Sequence, residues 1–381
     1  MKKGLLVFVI ILLISSLALV LLACGEISQV TDETLLEIGK SDYYKDYKDY
    51  LKECKENDKE ALSFDNWINE KNKSNENSNG SNGNPEDSVM TREAASFLGM
   101  TFTALSEDTV SLTKYDGTLD EIAIPNKISI DSKVFDVVAV GDECFASNDN
   151  VTKVTFPGSI KTIGEGAFCD CHFLASVNIP EDITIIQNRT FKNCIALKSI
   201  TIPAKVTQIG ACSTEAPTME QVVLSRKNLT GVGAFAGCTA LEGITIPKSV
   251  KTIGDGAFSD CTNLRAVTYE DGLVLDNLGY AVFYASGLIK AEIPNGITKL
   301  KGEYYTMNSP LKLTSAYGVF SNCEKLMSIT IPTNVTEIDQ STFYNCSRLY
   351  EVVNLSSLNF VKESDANGFI AKNAIDIINN R

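Results

Sequence analysis

The sequence predicts an α/β repeat fold: a β-rich solenoid of short 23-residue coils, with a small N-terminal helical segment. Three observations carry this. The segments GAFCDCHFLASVNIP, RTFKNCIALKSITIP, GAFAGCTALEGITIP, GAFSDCTNLRAVTYE and GVFSNCEKLMSITIP overlay without gaps, and Phe145, Phe168 and Phe191 follow one another at intervals of 23. Each copy pairs an Ala-Phe-x-x-Cys-like turn with a Leu-x-x-Val/Ile-x-Ile-Pro run, a strand signature closed by a residue that cannot donate to a ladder. A period in the range of about 20–50 residues means units that bury their apolar side only by stacking on one another.

Residues 1–23 read as a lipoprotein signal peptide: Lys2 and Lys3 precede an apolar run from Leu5 to Leu22, and polar sequence begins after Cys24. Leu21-Leu22-Ala23-Cys24 resembles a lipobox, which makes Cys24 the expected lipidation site and membrane anchor; an uncleaved spanning segment is the alternative, since the run is long enough to cross a bilayer. Either reading places the polypeptide outside the cytoplasm. Residues 24–72 form a short helical tether region, with Tyr43, Tyr47, Tyr50, Leu51 and Cys54 in one stripe and Trp67 filling a small core. The Asn/Ser/Gly-rich stretch then predicts a flexible linker over 73–96. An N-terminal β cap is expected over 97–120, with a hairpin at 101–113 turning at Ser-Glu-Asp. The repeat array follows over 121–358, and a C-terminal cap over 359–381, with a closing helix after Gly368, ends it.

Within a coil, alternation turns residues such as Leu197, Ile200 and Ile202 inward. It leaves one row outward: Thr155, Asn178, Thr201, Thr245, Thr268, Glu292 and Thr330. A threonine row is a good β surface and equally a good hydrogen-bonding one, so structural filler and binding face both remain open.

These residues resemble the BspA-like leucine-rich-repeat family of bacterial surface proteins over about residues 100–372. The resemblance implies a leucine-rich-repeat right-handed solenoid on a surface-exposed lipoprotein, adhering to host or cell-surface proteins by non-covalent capture. It implies no catalytic residues. Two intervals depart from the period. From Phe191 to Phe235 it is 44, which reads as a degenerate coil beside a normal one; from Phe283 to Phe320 it is 37, an excess placed in a loop holding Tyr304, Tyr305, Met307 and Tyr317. Aromatics and Met on a loop added to a rigid scaffold mark candidate contacts. The binding candidates are therefore these four, together with Thr201, Thr245, Thr268 and Glu292.

The chemistry excluded is as informative. A formal charge of −14 argues against nucleic acid. With His172 the single histidine, nucleophile–base pairs have almost no material, and neither an enzyme nor a cofactor is expected. Cys171, Cys194, Cys238, Cys261, Cys323 and Cys346 each follow their phenylalanine by three residues, predicting a buried ladder of free thiols. Cys169-x-Cys171-His172 lacks a second pair at zinc-like spacing, so no metal is expected there. The expected partner is a protein or another cell-surface ligand. An envelope-assembly scaffold without a host ligand is the alternative, and a hydrolase subunit whose residues 43–72 dock an enzyme is a third reading.

Overall fold

The computed structural model describes residues 89–212, 232–306 and 314–379. The signal peptide, Cys24 and the helical tether region lie outside them, as does Met307. Everything described belongs to one compact unit, Glu86–Arg381.

The hairpin expected over 101–113 is present as antiparallel strands Met100–Ala104 and Thr109–Tyr115. The cap begins earlier than composition suggests. Val89–Thr91 is a strand paired in parallel with Lys127–Ile130, and Arg92–Phe97 is a helix capped by Thr91, whose Oγ1 accepts from the Ala94 N–H at 3.2 Å. Linker composition therefore stops short of 96, because Ala94 and Ala95 are buried against the cap. The strand Lys133–Val140 carries the cap into the array by pairing in parallel with Thr162–Ile163.

The repeats are strand-rich and short-turned, and parallel pairing joins them on two faces. Strands of the Leu-x-x-Val-x-Ile segment pair at Glu121–Ala123, Lys153–Thr155 and Ser176–Val177, again at Gly243–Ile246 and Ala266–Tyr269, and again from Lys290–Glu292 through Ser328–Ile331 to Glu351–Asn354. The Ile-Gly turns pair likewise from Ile185–Ile186 through Gln208–Ile209 and Thr252–Ile253 to Asn277–Leu278. A further set of bonds runs through the Phe turns: the N–H of Phe168 donates to Thr190 O, that of Phe191 to Ala234 O and that of Phe258 to Val282 O, each at 2.8 Å.

Between these faces lies one hydrophobic interior. Phe145, Phe168, Phe191, Phe235, Phe258, Phe283, Phe320 and Phe343 form a single row, with neighbouring ring centroids 4.9–5.8 Å apart and nearly parallel. Phe191 stacks on Phe235 at 5.3 Å, which leaves no room for another layer, and Gln208–Ile209 pairs directly with Thr252–Ile253. The long interval is thus not a degenerate coil. The row and the turn pairing each take a single step across it, so the interval holds one repeat, and residues 213–231 lie outside those described. The 37-residue interval is bridged in the same way, by Phe283 on Phe320 at 5.5 Å.

The position two residues after each of these phenylalanines has φ between +51° and +73°, at Ser147, Asp170, Asn193, Gly237, Asp260, Ala285, Asn322 and Asn345. Asn, Asp and Gly tolerate this left-handed conformation best, which explains the composition of the turn.

In six of these eight turns the next residue is a cysteine, the others having Asn148 and Ser286. The cysteine thiol donates to the carbonyl of the preceding repeat's phenylalanine: Cys171 to Phe145, Cys194 to Phe168, Cys238 to Phe191, Cys261 to Phe235, Cys323 to Phe283 and Cys346 to Phe320, at 2.9–3.2 Å. All six are buried free thiols. Burial pushes the thiols of Cys171, Cys238 and Cys323 up to about 12, against 9.0 ordinarily. Because the folded value lies above the unfolded one, each such thiol's contribution is complete below pH 9.0 and is lost as pH rises from there toward about 12. Urea unfolding between pH 8 and 11 should show stability falling by about 1.4 kcal/mol per pH unit per thiol within that window. Iodoacetamide at pH 8 should leave all six unlabelled until the chain unfolds.

The chain does not close on a helix after Gly368. It turns and ends in the strand Asp376–Asn379, paired in parallel with Glu351–Asn354, where Asn354 Nδ2 donates to Asn379 Oδ1 at 3.0 Å. The run of β-branched Ile375, Ile377 and Ile378 suits a strand, and Ile377 packs against the core.

Candidate functional site

The outward row is where alternation puts it. Thr155, Thr201, Thr245, Thr268 and Glu292 are exposed, and Thr330 is half-buried. Register makes several of them direct neighbours: Thr245 sits opposite Thr268, and Glu292 opposite Thr330. Asn178 is exposed but engaged. Its Oδ1 accepts from the Phe156 N–H at 3.0 Å and its Nδ2 donates to Phe156 O at 3.3 Å, so the side chain stands in for a ladder bond.

That substitution marks a change in the sheet. Among the described residues, no backbone hydrogen bond joins Ser199–Ile202 to the strand on either side. The flank is held just below, where the Glu242 N–H donates to Lys198 O at 3.1 Å, and the Gln208–Ile209 turn is paired beyond. Over this split lies a depression of about 400 Å³. Thr201, Thr245 and Thr268 line it, with Ile200, Ile202, Ile244, Gly243, Ala266, Pro247 and Glu270. Glu270 Oε2 accepts from the Lys248 N–H at 3.0 Å. The structure therefore gathers three of the four strand-face candidates around one concavity. Glu292 lies beyond it, beside Lys290 at 3.8 Å.

The aromatic excess is a hairpin rather than a plain loop: Tyr304–Thr306 pairs antiparallel with Thr314–Ala316. Tyr304 and Tyr305 are on its first strand. Tyr317 is not a surface contact. It is only 7% exposed and its ring stacks on Tyr284 at 6.0 Å, because the chain is already returning to the row at Val319 and Phe320.

Charge is arranged in chains across repeats. Arg189 reaches both Glu143 at 3.0 Å and Glu165 at 3.1 Å, while Lys299 bridges Glu337 and Asp339 at 2.9 and 2.8 Å. Asp182 sits between Lys161 and Lys205, whose hydrogen bonds hold its carboxyl down at about 2. The groups of the Cys169–His172 segment face different partners: Cys171 donates to Phe145 O, and His172 Nδ1 lies 2.8 Å from Asp149 Oδ1. Among the described residues no three His, Cys, Asp or Glu side chains gather as a metal site.

One surface feature was not anticipated. Ile289, Met327, Tyr350 and Ile375 are exposed by 43%, 47%, 39% and 62% and succeed one another across four repeats. Their backbones are bonded in series: Met327 N–H to Ile289 O, Tyr350 N–H to Met327 O, and Ile375 N–H to Tyr350 O. Part of the signal was available in the residue following the repeat Leu, which is Lys198, Glu242 and Arg265 in the middle of the array and Ile289, Met327 and Tyr350 later.

The family match agrees with these repeats. The model of the BspA type leucine rich repeat region matches in six copies, over residues 138–233, 228–318 and 306–370. Among solved structures, the T. pallidum leucine rich repeat protein TpLRR is 22% identical, with 66% of this chain and 88% of that one covered at a TM-score of 0.42. A leucine-rich repeat protein from Bacteroides ovatus is 26% identical, covering 68% and 70% at 0.40. A leucine rich cell surface protein from Faecalibacterium prausnitzii is 21% identical, covering 68% and 94% at 0.25. No curated protein gives a significant match. With the repeat signature, the phenylalanine row and the family match covering most of the array, the chain belongs to the BspA-type leucine-rich-repeat family.

Proposed function

We propose that the protein is a surface-exposed, lipid-anchored adhesion protein whose repeats wind into a right-handed solenoid and capture host or cell-surface proteins without covalent chemistry. Leucine-rich repeats of this family generally bind proteins, and the finer reading rests chiefly on the cluster of Thr201, Thr245 and Thr268 around one depression on the strand face. A scaffold held by a continuous core presents these hydroxyls already ordered, so little entropy is lost on capture. Tyr304 and Tyr305, on the added hairpin, and Glu292 are secondary contacts, as is Met307. Cys24, acylated after removal of residues 1–23, supplies the membrane attachment.

The test is capture by the full-length mature protein from extracellular-matrix and envelope fractions. Replacing Thr201, Thr245 and Thr268 together by Arg should lower the captured amount at least tenfold, and Tyr304→Ala with Tyr305→Ala should lower it less. Undiminished capture by the triple variant sinks the assignment. The mass of the mature N-terminus decides the lipid: an acylated Cys24 is expected, and an intact Met1 contradicts it.

A further inference from the structure

Gly243 is the glycine that the fold does not ask for. Among the described glycines without positive φ, a Cβ at the others would meet neighbouring atoms at 1.7–3.3 Å, almost always backbone. At Gly243 it would meet only Ala266 O, at 3.7 Å, an ordinary contact. A strand glycine often marks a bulge, a tight bend or the close approach of a ligand or another backbone, and Gly243 pairs with Ala266 in a register without a shift, which leaves the last of these. It lies on the lining of the 400 Å³ depression, opposite the strand segment Ser199–Ile202, whose main-chain groups have no ladder partners among the described residues.

The geometry points to this depression as a main-chain recognition site for an extended polypeptide segment carrying a basic side chain opposite Glu270. Alternation along Gly243–Ile246, whose Ile246 O already accepts from the Glu270 N–H of the next repeat, turns the N–H and C=O groups of Gly243 and Thr245 toward the split. Ile200 and Ile202 face them from the other wall. These are donors and acceptors at strand period, the pattern by which an extended chain is bound at a sheet edge. The residues lining the depression also exclude other ligand classes. They include no aromatic ring on which a sugar would stack and no Lys or Arg for a phosphate backbone. Their one charged group is the Glu270 carboxylate, on a chain of net charge −14. The Lys248 N–H occupies only Oε2, so Oε1 can take a cation. With the split held at Lys198–Glu242 below, the open stretch Ser199–Ile202 matches about four residues of extended chain at roughly 3.3 Å each.

This inference rests on the reading that the strand face binds protein, and its test separates the two. The full-length mature protein is titrated by fluorescence polarisation with a pool of blocked octapeptides of Val, Thr and Ser holding one central Lys. A second pool is N-methylated at alternate backbone nitrogens, and a third has norleucine in place of Lys. Binding of the first pool is expected, at least tenfold weaker with N-methylation and about fivefold weaker with norleucine. Gly243→Tyr should weaken it at least tenfold while keeping the wild-type urea midpoint, and Ala266→Tyr, from the neighbouring strand, should do the same should the first variant fold poorly. Glu270→Gln should abolish the preference for Lys over norleucine. Equal binding of methylated and unmethylated pools, unchanged binding by both tyrosine variants, or no peptide binding at all overturns the slot. If folded extracellular proteins are still captured in that last case, the protein-binding reading survives and only the slot is lost.

Discussion

Phe258→Ala should lower the stability of the array by about 3–5 kcal/mol, the range for truncating a fully buried phenylalanine. The ring is fully buried and stacked on both sides, on Phe235 at 5.5 Å and on Phe283 at 5.8 Å. Its removal empties one layer and strips two neighbours of a ring contact worth about 0.5–1.5 kcal/mol each beyond area burial. In a repeat protein, stability is close to a sum of unit and interface terms, so the damage concentrates at two adjacent interfaces. Urea unfolding followed by circular dichroism should show a lower midpoint and a loss of single-transition behaviour, as the segments before and after residue 258 unfold separately. A variant that keeps the wild-type midpoint would mean that the row is ornamental and the paired backbones carry the fold.

Gly233→Ala should be nearly as damaging, by roughly 3 kcal/mol, although it adds a single methyl group. The new Cβ would stand 1.7 Å from Gly256 O and 2.3 Å from its carbonyl carbon. Those atoms are backbone, and they cannot retreat, because the next residue, Ala257, accepts the Phe235 N–H through its carbonyl at 2.9 Å. Gly243→Ala is the matched control. Its Cβ meets nothing closer than 3.7 Å, and removing a glycine from a strand should stabilise the protein by about 0.5–1 kcal/mol. Urea midpoints that move equally for the two variants would contradict the close approach of the two turns.

Much of this was legible in the sequence, for a physical reason. A repeat unit cannot hide its period, since every unit solves the same burial problem with the same residues. The row from Phe145 to Phe343, the inward Leu197, Ile200 and Ile202, and the buried thiols all follow from that regularity. What misled was local composition without a neighbour to test it. The segment before Val89 is polar, yet Ala94 and Ala95 find the cap. The tail after Gly368 has helical-looking content, yet an open strand at Glu351–Asn354 recruits it. Tyr317 lies in an aromatic cluster of the sequence, and only its stacking on Tyr284 shows that it faces inward. At the candidate site, the threonine row could be read from alternation. The split at Ser199–Ile202 could not, because a missing hydrogen bond leaves no mark in composition. Gly243 was a partial clue, a glycine where the other copies carry Ser, Ala, Lys or Glu.

The two long intervals have a practical corollary. Phe191 and Phe283 each find their successor at an ordinary stacking distance despite the extra residues between them. The molecule thus tolerates surplus chain at these two seams without losing phase. They are natural grafting ports, where foreign peptides or tags of comparable size should be accepted while the neighbouring layers keep their alignment.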